Sequence, residues 1–134
     1  MAHKLIRLSV RLPDTALALN AFVNDAIGFQ MDSEICLYYS PNCFGTADAI
    51  SYTTRDNMLR IHDLKTGVTP GSMDQLLIYA ALFKLEYTHL AVDKIQLRIY
   101  QNSETIEYAP TLGRVDEIAN KIIIFDKLLN SLEE

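Results

Sequence analysis

Between residues 34 and 65 the chain carries three strand-forming runs separated by two short polar segments, and no other stretch limits its possible folds so strongly. Residues 34–39 are rich in strand formers and end at Ser40-Pro41-Asn42, a turn signal. Residues 44–52 come next, with Gly45 and Asp48 near their start. The polar run Thr53-Thr54-Arg55-Asp56-Asn57 reads as a hairpin turn, and residues 58–65 as the third strand. Two glycines and a proline across residues 66–71 require another turn.

Helical spacing appears on both sides of these runs. Pro13-Asp14-Thr15 looks like a helix start with Asp14 as cap, and Ala16, Leu17, Leu19, Phe22, Val23, Ala26 and Ile27 recur at helical intervals up to Gly28. Ser72 offers a second N-cap with Gln75 as capping-box partner, ahead of the stripe Leu76, Leu77, Tyr79, Ala80, Phe83 and Leu85. Residues 95–100 alternate as a strand does, residues 105–109 are placed to pair with them, and residues 115–132 return to helical spacing. The order is α-β-β-β-α-β-(β)-α, which predicts an α/β fold with a mixed sheet and helices packed on it.

A length of 134 residues without repeat or low-complexity tract predicts one domain, residues 1–134, able to bury a core without disulfides. No segment approaches the ~20 apolar residues of a membrane span, so no membrane association is expected. The N-terminal residues read as mature protein and not as a signal peptide. Cys36 and Cys43 are too few for a disulfide framework and read as small, partly buried thiols of a reducing cytoplasm. A net charge of −5 argues against a protein that coats nucleic acid by charge alone. It leaves room for an enzyme that gathers carboxylates around divalent cations, which reverse the local sign.

One constellation has the residue types for such chemistry. On a strand Asp63 and Lys65 project together, while His62 and Leu64 project the other way. If the two strands form a hairpin, Asp48 can meet Asp63 from the neighbouring strand. Hard cations such as Mg2+ take one or two carboxylates plus water and substrate phosphate, and a nearby ammonium stabilises developing negative charge. Arg60 and Arg98 are candidates for phosphate contacts or plain strand-surface arginines. His62 is expected to pack or face the surface, and His89 to sit in a loop.

The pattern Gly45-Thr46-Ala47-Asp48, then Asp63-Leu64-Lys65-Thr66-Gly67 closing a hydrophobic strand, then Gln75-Leu76-Leu77-Ile78-Tyr79 opening a helix, resembles that of RecB-type nucleases in the PD-(D/E)xK superfamily. Leu97-Arg98-Ile99-Tyr100-Gln101 is similar to the last strand of a phage-encoded branch. The resemblance spans roughly residues 34–101. It implies a restriction-endonuclease-like sheet and a Mg2+- or Mn2+-dependent DNA nuclease, foremost an exonuclease. The setting it implies is recombination, repair or DNA processing in the cytoplasm of a bacterial cell or phage-infected host.

Carried over by position, Asp48, Asp63 and Lys65 would be catalytic, with Gln75 and Tyr79 bordering the site. Asp48, Asp63, the Leu64 carbonyl and Glu34 would hold metal, and Gln75, Tyr79 and Thr66 would meet substrate. Many relatives carry an upstream metal-binding histidine on a helix. The helix expected near residues 14–28 offers only Asn20, Asn24 and Asp25, and His3 lies before it. Small nucleases of this kind assemble, which implies a homo-oligomer or a partner subunit. The alternative reading is a catalytically inactive module of the same superfamily, acting as a DNA-binding, protein-binding or structural subunit.

Overall fold

The computed structural model describes residues 1–67 and 71–133. Its elements are α1 (Ala2–Arg7), α2 (Ala18–Gly28), β1 (Asp32–Ser40), β2 (Cys43–Thr53), β3 (Met58–Lys65), α3 (Met73–Glu86), β4 (Lys94–Gln101), β5 (Glu104–Tyr108) and α4 (Leu112–Glu133). The strands form one sheet in the order β1-β2-β3-β4-β5, antiparallel except for the parallel pair β3–β4. A tight turn cannot join parallel neighbours, so the chain leaves β3, runs through α3 and re-enters as β4. This is the mixed α/β architecture that the order of sequence signals implies.

Each face of the sheet has its own core. On one face Leu37, Leu59, Ile61 and Leu97 pack with Leu76 and Ala80 of α3 and Val115 of α4. Helix α3 is buried on nearly every side, because it packs on the sheet and on α4 together. On the other face Phe22, Val23 and Ala26 of α2 and Ile6 of α1 cover Ala49 and Tyr100. Among the described residues no helix is long and apolar enough to cross a membrane.

Several expectations change. Helix α2 starts at Ala18 with Leu17 as N-cap, and Asp14 caps nothing. Asn24 ties down the preceding segment: its Oδ1 accepts the Leu12 N–H at 2.8 Å and its Nδ2 donates to the Leu12 carbonyl at 2.9 Å. The Ala18 amide donates to the Asn102 carbonyl at 2.7 Å, which fixes the start of the helix against the β4–β5 turn. Helix α1 has no counterpart in the sequence reading. Ser72 does cap α3, accepting the Asp74 N–H at 3.2 Å, but the Gln75 side chain is engaged elsewhere and closes no capping box. Cys36 is exposed, not partly buried. Of the turn expected over residues 66–71, residues 68–70 lie outside the described residues. Gln101 ties its two ends, donating to the Gly67 carbonyl at 2.7 Å and accepting the Gly71 N–H at 3.1 Å.

Candidate active site

The sheet divides at Asp48. Strand β2 follows β1 along its length but pairs with β3 only from Ala49↔His62 to Thr53↔Met58. At the point of separation the Asp48 side chain substitutes for a strand carbonyl, its Oδ2 accepting the Leu64 N–H at 2.9 Å. Ala47 packs with the α3 core and Ala49 with the α2 core, although residues two apart on a regular strand share a face. The strand therefore rotates at this residue. Across from it, Glu34 falls between the pairs Ser33↔Ala49 and Ile35↔Ala47 with φ of 52°. Left-handed backbone at a non-glycine residue costs about 1–3 kcal/mol and concentrates at functional sites.

A chain of polar contacts extends from Asp63 to α3. Buried Asp63 lies with its Oδ2 2.7 Å from Lys65 Nζ. Lys65 Nζ donates to Gln75 Oε1 at 2.9 Å, and Gln75 Nε2 donates to the Tyr79 hydroxyl at 2.9 Å. The four-residue spacing of Gln75 and Tyr79 puts them one turn apart on the helix flank that faces β3. Gly45 makes room for this arrangement, since a Cβ there would lie 2.5 Å from Tyr79 Cε1. Thr66, next after Lys65, is exposed and takes no part in the chain of contacts.

Asp48 and Asp63 meet in hydrogen-bond contact. Burial first, then that contact and the charge of Asp63, push the Asp48 carboxyl up to about 7, against the lowering effect of the Leu64 amide and Lys65. The Lys65 ammonium is pushed above its ordinary value, chiefly by its bond to Asp63. Two neighbouring carboxylates that share a single ammonium form an environment in which a divalent cation would be favoured. Among the described residues no three His, Cys, Asp or Glu side chains are grouped tightly enough to hold a metal by themselves. Mg2+ asks for less, since one or two carboxylates suffice when water and phosphate complete the octahedron. The donor set present fits it.

Asp48 also opens onto a cavity of about 170 Å3 that it lines with His3, Glu34, Phe22 and Leu64. His3, on α1, approaches Ser33 Oγ through Nδ1 and lies 3.9 Å from Glu34 through Nε2. A histidine on an upstream helix therefore lines the same cavity as Asp48, and sequence reasoning gave it no role. The only signal was its place in the short run Ala2-His3-Lys4-Leu5-Ile6-Arg7.

No family model matches the chain, and no curated protein matches it. What the site can do must be read from its own geometry.

The remaining candidates lie on the α2 face. Asn20 and Asn24 bind the segment before α2, and Asp25 accepts from the Tyr100 hydroxyl at 2.6 Å. Arg98 pairs with Asp25 at 3.4 Å and Glu107 at 2.7 Å, while Arg60 bonds to Gln96 and stacks 4.1 Å from the Phe29 centroid. Both arginines project on the side of β3 and β4 opposite Asp63 and Lys65, so neither meets a phosphate held there. His62 is fully buried on that same face.

Proposed function

We propose that this chain is a metal-dependent nuclease that hydrolyses phosphodiester bonds in DNA, as its resemblance to the RecB-type PD-(D/E)xK nucleases implies. The observation that carries the reading is the meeting of Asp48, Asp63 and Lys65 where the sheet divides, with Lys65 held from α3 by Gln75. Asp48, Asp63 and the Leu64 carbonyl are the groups that would hold Mg2+ or Mn2+. His3 and Glu34 approach from the cavity side. Such an ion supplies a water of lowered pKa and neutralises charge on the phosphodiester. Lys65 directs its ammonium at the same locus and stabilises the negative charge that develops on the phosphate oxygens. Gln75 orients Lys65, and Tyr79 fixes Gln75. Cleavage of DNA places the protein in recombination, repair or DNA processing, acting as a homo-oligomer or beside a partner subunit.

The second reading, a non-catalytic module, is favoured by one observation: Lys65 is seated directly on Asp63 in the place a cation would share. A single experiment separates the two. Linear and circular DNA are incubated with parent, Asp63→Asn and Lys65→Ala proteins in Mg2+, Mn2+ or chelator, and calorimetry follows Mn2+ binding. The nuclease reading expects metal-dependent cleavage and a Mn2+ site lost in Asp63→Asn. It expects Lys65→Ala to keep the metal site while cleavage falls roughly 10²-fold or more. Absence of cleavage by the parent in either metal, or equal cleavage by all three proteins, overturns it.

A further inference from the structure

Lys65 and Gln101 are the last pair of the parallel β3–β4 ladder, two residues beyond the pair Asp63↔Ile99, so all four side chains belong to one face of the sheet. From that position Gln101 reaches over the segment that leaves β3. Its Nε2 donates to the Gly67 carbonyl at 2.7 Å and its Oε1 accepts the Gly71 N–H at 3.1 Å. The clasp sets Gly71 down on the site: a Cβ there would lie 2.9 Å from Lys65 Cγ, 3.1 Å from Ile99 Cγ2 and 3.5 Å from Lys65 Cε. The backbone of Gly71 therefore walls the methylene stem of Lys65, while Asp63 and Gln75 hold its ammonium at 2.7 and 2.9 Å. Ser72, the N-cap of α3, follows at once, so the same clasp fixes where the helix that carries Gln75 begins.

We propose that Gln101 is a positioning residue for Lys65, acting through the backbone of Gly71 and not on the reacting groups themselves. The inference rests on the nuclease reading and adds to that site a residue from β4. A lysine carries its charge at the end of a flexible four-carbon stem, so the direction of the ammonium must be imposed by its surroundings. The ion pair with Asp63 restrains only the tip. Backbone packed along the stem removes the rotamers that would swing the ammonium off the acidic locus. A side-chain amide suits the clasp because it offers a donor and an acceptor together. A carboxylate at position 101 would meet the Gly67 carbonyl with no proton to give. A glutamine that merely stapled the turn would leave Lys65 indifferent to its loss, and that difference can be measured.

Two measurements on the full chain test the role, one of them independent of cleavage. In chelator, NMR of the lysine ammonium groups reads how Lys65 is held, its signal assigned by its loss in Lys65→Ala. The parent should give a Lys65 signal set apart from those of free lysines, and Gln101→Ala and Gly71→Ala should each move it to the free position. In Mg2+, Gln101→Ala should lower kcat on linear DNA roughly tenfold or more with KM unchanged. Calorimetry should find its Mn2+ affinity equal to the parent's, since both carboxylates remain. Lys65→Ala/Gln101→Ala should cut no more slowly than Lys65→Ala, because a residue that acts through Lys65 has nothing left to act on. Melting curves verify folding, and if Gln101→Ala does not fold, Gly71→Ala, which keeps the glutamine, carries the same test. The role is overturned by a Lys65 signal that is free in the parent or unmoved in the variants, or by losses in the double variant that multiply. A parent that never cuts removes the nuclease reading, and the ammonium signal still decides whether Gln101 positions Lys65. A parent that cuts, with kcat and signal unchanged in Gln101→Ala, removes the positioning role alone.

Discussion

At His62 the sheet holds an imidazole shut off from water, its Nδ1 3.3 Å from the Tyr100 hydroxyl and its Nε2 without a hydrogen-bond partner among the described residues. Burial, then the charges of Arg98 and Arg60, push its pKa down from 6.5 to about 3. The ring stays neutral in the fold, while the unfolded chain takes up a proton below about pH 6.5. Between those values the unfolded state binds more protons, so this residue removes stability as pH falls. Asp48 acts in the opposite sense, because its raised carboxyl takes up a proton in the fold first and adds stability as pH falls from about 7. The parent's pH profile mixes the two, and a variant separates them. In chelator, His62→Phe should weaken the acid dependence between pH 6 and pH 4 by about 1.4 kcal/mol per pH unit, read by urea unfolding. If parent and variant lose stability in parallel across that range, His62 is not held neutral by the fold.

At the scale of elements, the contact between β2 and α3 at Gly45 decides how the helix residues reach the site. Tyr79 is buried against that glycine, and an added methyl would meet its ring at 2.5 and 3.3 Å. Gly45→Ala should therefore destabilise by about 1–3 kcal/mol, as overpacked cores do. It should also cut cleavage roughly tenfold or more by shifting Gln75 and hence Lys65. Gly45→Ala combined with Tyr79→Leu should recover the stability and leave the cleavage defect; a single variant as stable and active as the parent would show that Tyr79 holds nothing in place. Strand β3 was legible to the residue, because its run of strand formers is bounded by a polar turn on one side and Thr66-Gly67 on the other. Asp63 and Lys65 were legible together for the same local reason, the alternation of a strand. The division of the sheet at Asp48 was not, since residues 44–52 read as one uninterrupted strand and only the changed partners of β2 reveal it. Helix α1 escaped because its six residues carry too short a period and its burial comes from Ile6 packing on a remote core. His3 went unassigned with it. The start of α2 was misplaced because the Asn24 clamp on Leu12 is a tertiary contact that no local propensity announces.

For the molecule as a whole, α4 is anchored on one side and bare on the other. Buried Asp126 accepts from Ser40 Oγ at 2.6 Å and Asn42 Nδ2 at 2.9 Å, which binds the late turns of the helix to the β1–β2 turn. Ile124, Phe125, Leu128 and Leu132 are 52–74% exposed. At 100° per residue they fall within one arc of about 100°, roughly opposite Asp126. The same arc is polar one turn earlier, where Lys121 pairs with Glu117 at 3.6 Å, so the apolar strip is confined to the end of the helix. Beside it Ile78 of α3, Ile118 and Ile122 line a groove of about 470 Å3 that Phe125 adjoins. A few hundred Å2 of contiguous apolar surface is about the most that a monomer leaves bare. A helix anchored opposite its apolar strip presents that strip rigidly, and two copies related by a two-fold axis would lay each strip along the other. Dimerisation would also join two sites whose single, acidic subunit is a poor electrostatic funnel for DNA. The parent should therefore sediment as a dimer at micromolar concentration and dissociate on dilution. Phe125→Glu/Leu128→Glu should sediment as a monomer with its melting curve nearly unchanged, since both side chains already face solvent. A parent that stays monomeric across that concentration range, or a double variant that still dimerises, would take the strip out of the assembly.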